Sequence, residues 1–130
     1  MKAVSKNLEI SNKTKGALPR VPFADLKKEI LGDDYELSIC FVGKAKMKSL
    51  SEQYKGDGTH MNVLSFPLQK NSGEIIMNFE TIKKEAADFT HSPKKHLIFI
   101  VIHGMLHLAG HTHGSKMESE EKRLMKKHAF

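Results

Sequence analysis

The stretch PKKHLIFIVIHGMLHLAG, residues 93 to 110, constrains this chain more than any other. Ser92 followed by Pro93 is a helix start, a capping hydroxyl and then a first-turn proline, and Gly110 is a natural C-terminal stop. From Leu97 to Leu108 nearly every face of that helix is apolar, so the sequence predicts a buried central helix around which the rest of the chain packs. The longest apolar run, Leu97 to Ile102, is too short to cross a bilayer, which takes about 20 residues.

Two histidines sit on this helix, and an imidazole taken out of water without hydrogen bonds is costly, so both need partners. His103 and His107 are four residues apart and lie one turn apart on one face, which lets two imidazoles share an ion. The continuation, HGMLHLAGHTHG, places four histidines in eleven positions, whereas the chain's eight histidines spread evenly over 130 residues would put fewer than one there. The cluster reads as a metal site.

A third ligand must come from beyond the helix. Were the helix to run on through His111, that side chain would start about 12 Å along the axis from His103, too far for both to reach one ion. Gly110 breaks the helix, so the chain can fold back and bring in His111 or His113. Five intervening residues, a glycine among them, favour His113. Three histidines leave a fourth position open on a tetrahedral ion, the catalytic pattern, whereas closed structural sites usually recruit cysteines and this chain has only Cys40. A fourth imidazole from His111 would close the site. An open position would hold water whose pKa is lowered towards neutrality, ready for hydrolysis. The zinc-peptidase pattern H-E-x-x-H is not met, because Gly104 stands where its glutamate base would be.

The remaining sequence supplies a scaffold. Strands are expected around Leu8 to Ser11, Tyr35 to Val42, Asn62 to Leu68 and Glu74 to Phe79, with Pro67 suggesting an edge or a strand end. Helices are expected from Pro22 to Gly32, from Lys44 to Tyr54, from Glu80 to Phe89, over the central stretch, and as an exposed C-terminal helix carrying Met117, Glu121 and Leu124. The fold expected is α+β: a single domain, residues 1–130, with a small mixed four-stranded sheet packed against about five helices and a buried central helix carrying two metal-binding histidines. Cys40 between Ile39 and Phe41 reads as an inert strand thiol in a reduced, intracellular protein, and MKAVSKNLEISNK does not look like a secretory signal. The net charge of +6, from 19 Lys and only Arg20 and Arg123 against 15 acids, favours an anionic partner, nucleic acid being the usual one.

His103 to His113, H-G-M-L-H-L-A-G-H-T-H, closely resembles the H-G-x-L-H-L-x-G-Y-D-H signature of the YbeY family, bacterial endoribonucleases implicated in rRNA maturation. Tyr54, Gly56 and Asn62 to Pro67, N-V-L-S-F-P, resemble that family's Y-R-G…T-[DN]-V-L-S-F-P element. The likeness runs from about Tyr35 to the end. It implies one Zn(2+) per chain on His103, His107 and His113, with Asn62 and Ser65 near the cleft as substrate-binding residues. It further implies a metal-dependent, single-strand-specific endoribonuclease of the cytoplasm that acts on the 16S rRNA 3′ end and in ribosome quality control. The partners implied are single-stranded rRNA, the ribosomal small subunit and the assembly GTPase Era, with no membrane.

Three positions depart from the pattern. Lys55 replaces the arginine after the tyrosine, leaving a point charge where a planar fork would bind phosphate. His111 and Thr112 replace Tyr-Asp, removing a carboxylate that can orient a ligand or water, a loss that Asp57 or Glu118 would have to offset. Thr59, His60 and Met61 replace the usual proline-threonine approach to the N-V-L-S-F-P strand. In the catalytic reading, Lys55 stabilises charge on the phosphate beside the three histidines, Lys44, Lys46 and Lys48 extend a basic track, and His60 is a candidate acid or base. His91, His96 and His128 read as surface or helix-end residues. The alternative reading is a zinc-braced RNA-binding or ribosome-assembly factor that cuts nothing.

Overall fold

The structure, a computed structural model, describes residues 2–5, 7–56, 58 and 61–129. The roles considered for Asp57, Thr59 and His60 lie outside the described residues.

The element order is β1 (Lys2–Ser5), β2 (Leu8–Asn12), α1 (Phe23–Ile30), β3 (Glu36–Phe41), α2 (Lys44–Lys55), β4 (Val63–Gln69), β5 (Ser72–Met77), α3 (Phe79–Glu85), a 3-10 turn (Ala86–Phe89), α4 (Pro93–Leu108) and α5 (Ser115–His128). The strands form one mixed sheet in the order β1-β2-β3-β5-β4. β2, β3 and β5 run parallel, while β1 and β4 join antiparallel at the two edges. The α+β class and the mixed sheet follow the sequence reading, and the sheet carries one strand more than the four expected, β1, folded back on β2. Pro67 sits on edge strand β4, next to the register shift between Pro67 and Gln69. There its missing N–H leaves no ladder bond unmade on a second neighbour.

Alternation along β3 and β5 divides the core in two. Leu37, Ile39 and Phe41 of β3 and Ile75 and Met77 of β5 enter the main core with Leu97, Val101 and Met105 of α4. On the other face Ile76 meets Met47 of α2 and Leu64, with Cys40 packed beside them, half-buried. The central helix α4 touches α1, α3, α5, β4 and β5.

The ends of α4 are as its sequence requires. The Ser92 hydroxyl accepts from the Lys95 amide at 3.1 Å and Pro93 opens the first turn. Gly110, at φ +98°, reverses the chain, and the His111 amide donates to the Leu106 carbonyl at 3.0 Å. The helix expected over Glu80 to Phe89 is instead α3 followed by the 3-10 turn, with Asn78 capping α3 through its Oδ1, which accepts from the Thr81 amide at 2.9 Å. The C-terminal helix corrects its expectation too: Met117, Glu121 and Leu124, at i, i+4 and i+7, form a buried stripe against the core.

Candidate metal centre

His103 and His107 lie on the exposed-edge face of α4, and the turn at Gly110 returns His113 beside them. One nitrogen from each of the three rings lies within 4.8 Å of the others, an arrangement that can hold a metal ion. His111 contributes differently from the sequence alternative. Its backbone oxygen lies 3.1 Å from Nδ1 of His107, and among the described residues its ring is not one of the converging donors.

The hydrogen bonds at the back of the rings set the tautomers. Nδ1 of His107 donates to the His111 carbonyl, and Nδ1 of His103 donates to Oε2 of Glu121 at 2.8 Å. With both Nδ1 atoms protonated, each neutral ring presents a bare Nε2 lone pair. Those two Nε2 atoms face each other at 3.1 Å. Two lone pairs at that distance repel unless a cation lies between them. Two nitrogens on a tetrahedral zinc, each about 2.0–2.1 Å from it, stand about 3.3 Å apart, so the donor set fits such an ion. Burial, and after it the neighbouring His103, lowers the pKa of His107, keeping its ring in the neutral form a ligand needs.

The triad opens into a cleft of about 550 Å³ whose walls include Lys55, Asn62, Ser65 and Glu118. Lys55 ends α2, followed by Gly56 at φ +84°, and its side chain is exposed. Asn62 precedes β4. Its Oδ1 accepts from the Val63 amide at 2.7 Å and its Nδ2 donates to both carboxylate oxygens of Glu85, each at 3.2 Å. The Ser65 hydroxyl donates to the Gly104 carbonyl at 3.3 Å, pinning β4 against α4. Lys44, Lys46 and Lys48 are exposed on α2. The cleft therefore gathers Lys55, Asn62, Ser65, His103, His107 and His113 within its walls, while His111 and the lysine track are not part of its lining.

Gly104 explains the missing peptidase glutamate. A Cβ there would stand 3.2 Å from Cδ1 of Ile75 and 3.2 Å from Oγ of Ser65, because α4 lies directly on the sheet at this point. The position faces β4 and β5 rather than the cleft.

Three residues escaped the sequence reading. Glu121, 18 positions after His103, looked like one acid among many on a charged helix; its place between Met117 and Leu124 on the buried stripe was the available signal. Glu85 carries no motif. His96, expected at the surface or at a helix end, lies in the first turn of α4 and is wholly buried, with Nε2 2.7 Å from Oε2 of Glu85 and Nδ1 3.1 Å from Nδ1 of His91. A histidine on the apolar face of a central helix needs such partners. His91 is half-buried, and His128, at the end of α5, lies 2.9 Å from Oε1 of Glu29.

The model of the family described as Endoribonuclease YbeY matches residues 2–129. The chain belongs to the YbeY family. Among curated YbeY proteins, that of Chelativorans sp. is 37% identical over 94 residues, covering 65% of this chain and 58% of the relative. That of Alkaliphilus metalliredigens is 29% identical over 129 residues, covering 91% of this chain and 83% of the relative. A solution structure of TM1509 from Thermotoga maritima superposes with a TM-score of 0.62 at 26% identity, covering 92% of this chain and 87% of that one. No helix among the described residues is long and apolar enough to cross a membrane. Where the family pattern has Tyr-Asp this chain has His111 and Thr112, and Glu121 of α5 brings a carboxylate to Nδ1 of His103.

Proposed function

We propose that this chain is a metal-dependent, single-strand-specific endoribonuclease acting in maturation of the 16S rRNA 3′ end and in ribosome quality control. In this reading residues 1–130 form one hydrolase domain, working in the cytoplasm on the ribosomal small subunit, with the GTPase Era as an assembly partner. The observation that carries it is the pair of bare Nε2 atoms of His103 and His107, 3.1 Å apart, with His113 closing the triad in a cleft that also contains Lys55. The family's name as endoribonucleases supports the substrate class.

His103, His107 and His113 would hold one zinc ion. The ion supplies Lewis-acid chemistry, drawing charge from a phosphoryl oxygen and acidifying water. Lys55 places a positive charge where the scissile phosphate enters and offsets the charge that grows on it. Its ammonium acts as a point charge, so orientation of the phosphate falls more heavily on the rest of the cleft than it would with an arginine. Asn62 and Ser65 line the strand's path, with their side chains already fixed by Glu85 and by the Gly104 carbonyl. Glu121 holds the His103 ring in one tautomer.

The test is cleavage of a single-stranded RNA oligonucleotide by the full chain loaded with zinc, with and without chelator, beside a His107→Ala variant shown to be folded by its far-UV spectrum and melting curve. Internal cleavage that needs the metal and disappears in the variant is expected. RNA bound with normal affinity but never cut would overturn the nuclease reading in favour of a metal-braced RNA-binding factor.

A further inference from the structure

One wall of the cleft is aromatic. Phe89, at the end of the 3-10 turn, and Phe99, on α4, both line it, and Phe89 is 47% exposed there. The rings form a row that leads to the metal centre: Phe89 to Phe99 at 5.9 Å between centroids, Phe99 to His103 at 6.5 Å, His103 to His107 at 4.5 Å. Phe89 is held from behind by His96 at 4.7 Å and His91 at 5.8 Å. It is thus fixed on one side and open on the other.

The backbone is strained at this ring. Thr90, the next residue, has φ +54°, a left-handed conformation that a β-branched residue seldom takes. It is held there by its amide donating to the carbonyls of Ala86 and Ala87. This cap ends the 3-10 turn and fixes the backbone directly after Phe89.

The charges nearby select the occupant. Glu85, Glu118 and Glu121 line the same cleft, and Glu85 is joined to His96, the residue under Phe89. The scissile phosphate goes to Lys55 and the triad, and a further phosphate set on Phe89 would be repelled by Glu85. A flat, uncharged ring would not.

We infer that Phe89, backed by Phe99, is a stacking shelf for one unpaired nucleobase next to the scissile phosphate. This rests on the RNA reading above. It makes the single-strand preference a physical property of the cleft: a base held in a helix is already stacked on both faces and has none free for Phe89. Stacking on an aromatic side chain tolerates all four bases, so the shelf selects for a flipped-out nucleotide and not for a sequence.

The experiment measures binding of short single-stranded RNAs to the full chain in which one nucleotide at a time is made abasic. For wild type, one position should weaken binding about tenfold, the scale of one base stacked on an aromatic ring. Phe89→Leu keeps an apolar side chain over His96 and should show the same loss with intact RNA and no further loss at that abasic position. Phe89→Trp should bind as wild type does. Because the chain has no other tryptophan, its fluorescence should be quenched by intact RNA and not by the strand abasic at that position. Equal affinity of wild type and Phe89→Leu at every position, in protein that binds RNA, would overturn the shelf and leave the nuclease reading standing. Wild type that neither binds nor cuts any RNA would overturn the reading on which the shelf rests, and the shelf with it.

Discussion

Glu121 on α5 and His103 on α4 are joined by a 2.8 Å hydrogen bond, and that bond decides which nitrogen of His103 faces the cleft. Glu121 is 9% exposed and has been drawn inward beside Met117 and Leu124. A helix whose composition suggests a solvated surface thereby braces the histidine cluster that can hold a metal ion.

Glu121→Ala frees the His103 ring to rotate and to take the wrong tautomer. Zinc affinity should fall about 10- to 100-fold, the usual cost of losing a carboxylate behind a ligand histidine. Competition against a chromophoric chelator measures it; an affinity equal to wild type would show that the ring is oriented by something else.

His113→Ala separates metal binding from folding. His113 is exposed, so the variant without metal should melt within the range of ordinary surface substitutions, about 0.5 kcal/mol of wild type. Wild type at zinc a hundredfold above its dissociation constant should gain about 2.7 kcal/mol, and the variant should gain little of that. Equal stabilisation of both by zinc would remove His113 from the ligand set.

Gly104→Glu restores the peptidase spacing on paper and should fail in practice. The new side chain has to displace Ile75 and Ser65 and bury a carboxylate against the sheet. A loss of about 3 kcal/mol or more is expected from urea unfolding, with no peptide hydrolysis. A stable variant would mean that α4 can lift from β4 and β5 at little cost.

Much of this was legible in the chain. Ser92, Pro93 and Gly110 bound α4 by local chemistry alone, and His103 and His107 share a face by helical geometry, so sequence spacing reaches both. The return of His113 could be seen as possible because of Gly110, whereas the choice against His111 depends on where one carbonyl points. Long-range partners carry no spacing signal: Glu121 to His103 joins α5 to α4, Glu85 to His96 joins α3 to α4, and Asn62 to Glu85 joins the start of β4 to α3. β1 is likewise defined by what it pairs with.

Glu29 supplies a pH signature. Its carboxyl is lowered from the usual 4.5 to about 2, first by the hydrogen bond from His128, then by Arg123, with burial opposing and Lys127 assisting. A depressed carboxylate contributes stability that is complete above its unfolded value and fades as pH falls from about 4.5 towards 2. Glu29→Gln should therefore unfold more readily than wild type at pH 6, by about 0.5–1 kcal/mol because the groups are largely in water, and the difference should vanish near pH 2. Urea midpoints for the two proteins across that range provide the comparison. A gap that stays constant with pH would assign the effect to packing between α1 and α5.

The chain reverses at Gly110 before it delivers His113, and the carboxylate behind His103 follows only on α5. Synthesis runs in the same direction. A nascent chain halted before residue 113 has the strands and four of the five helices in its sequence but an incomplete seat for the ion. Any chemistry that depends on that ion is withheld from a growing chain until His113 and α5 have emerged.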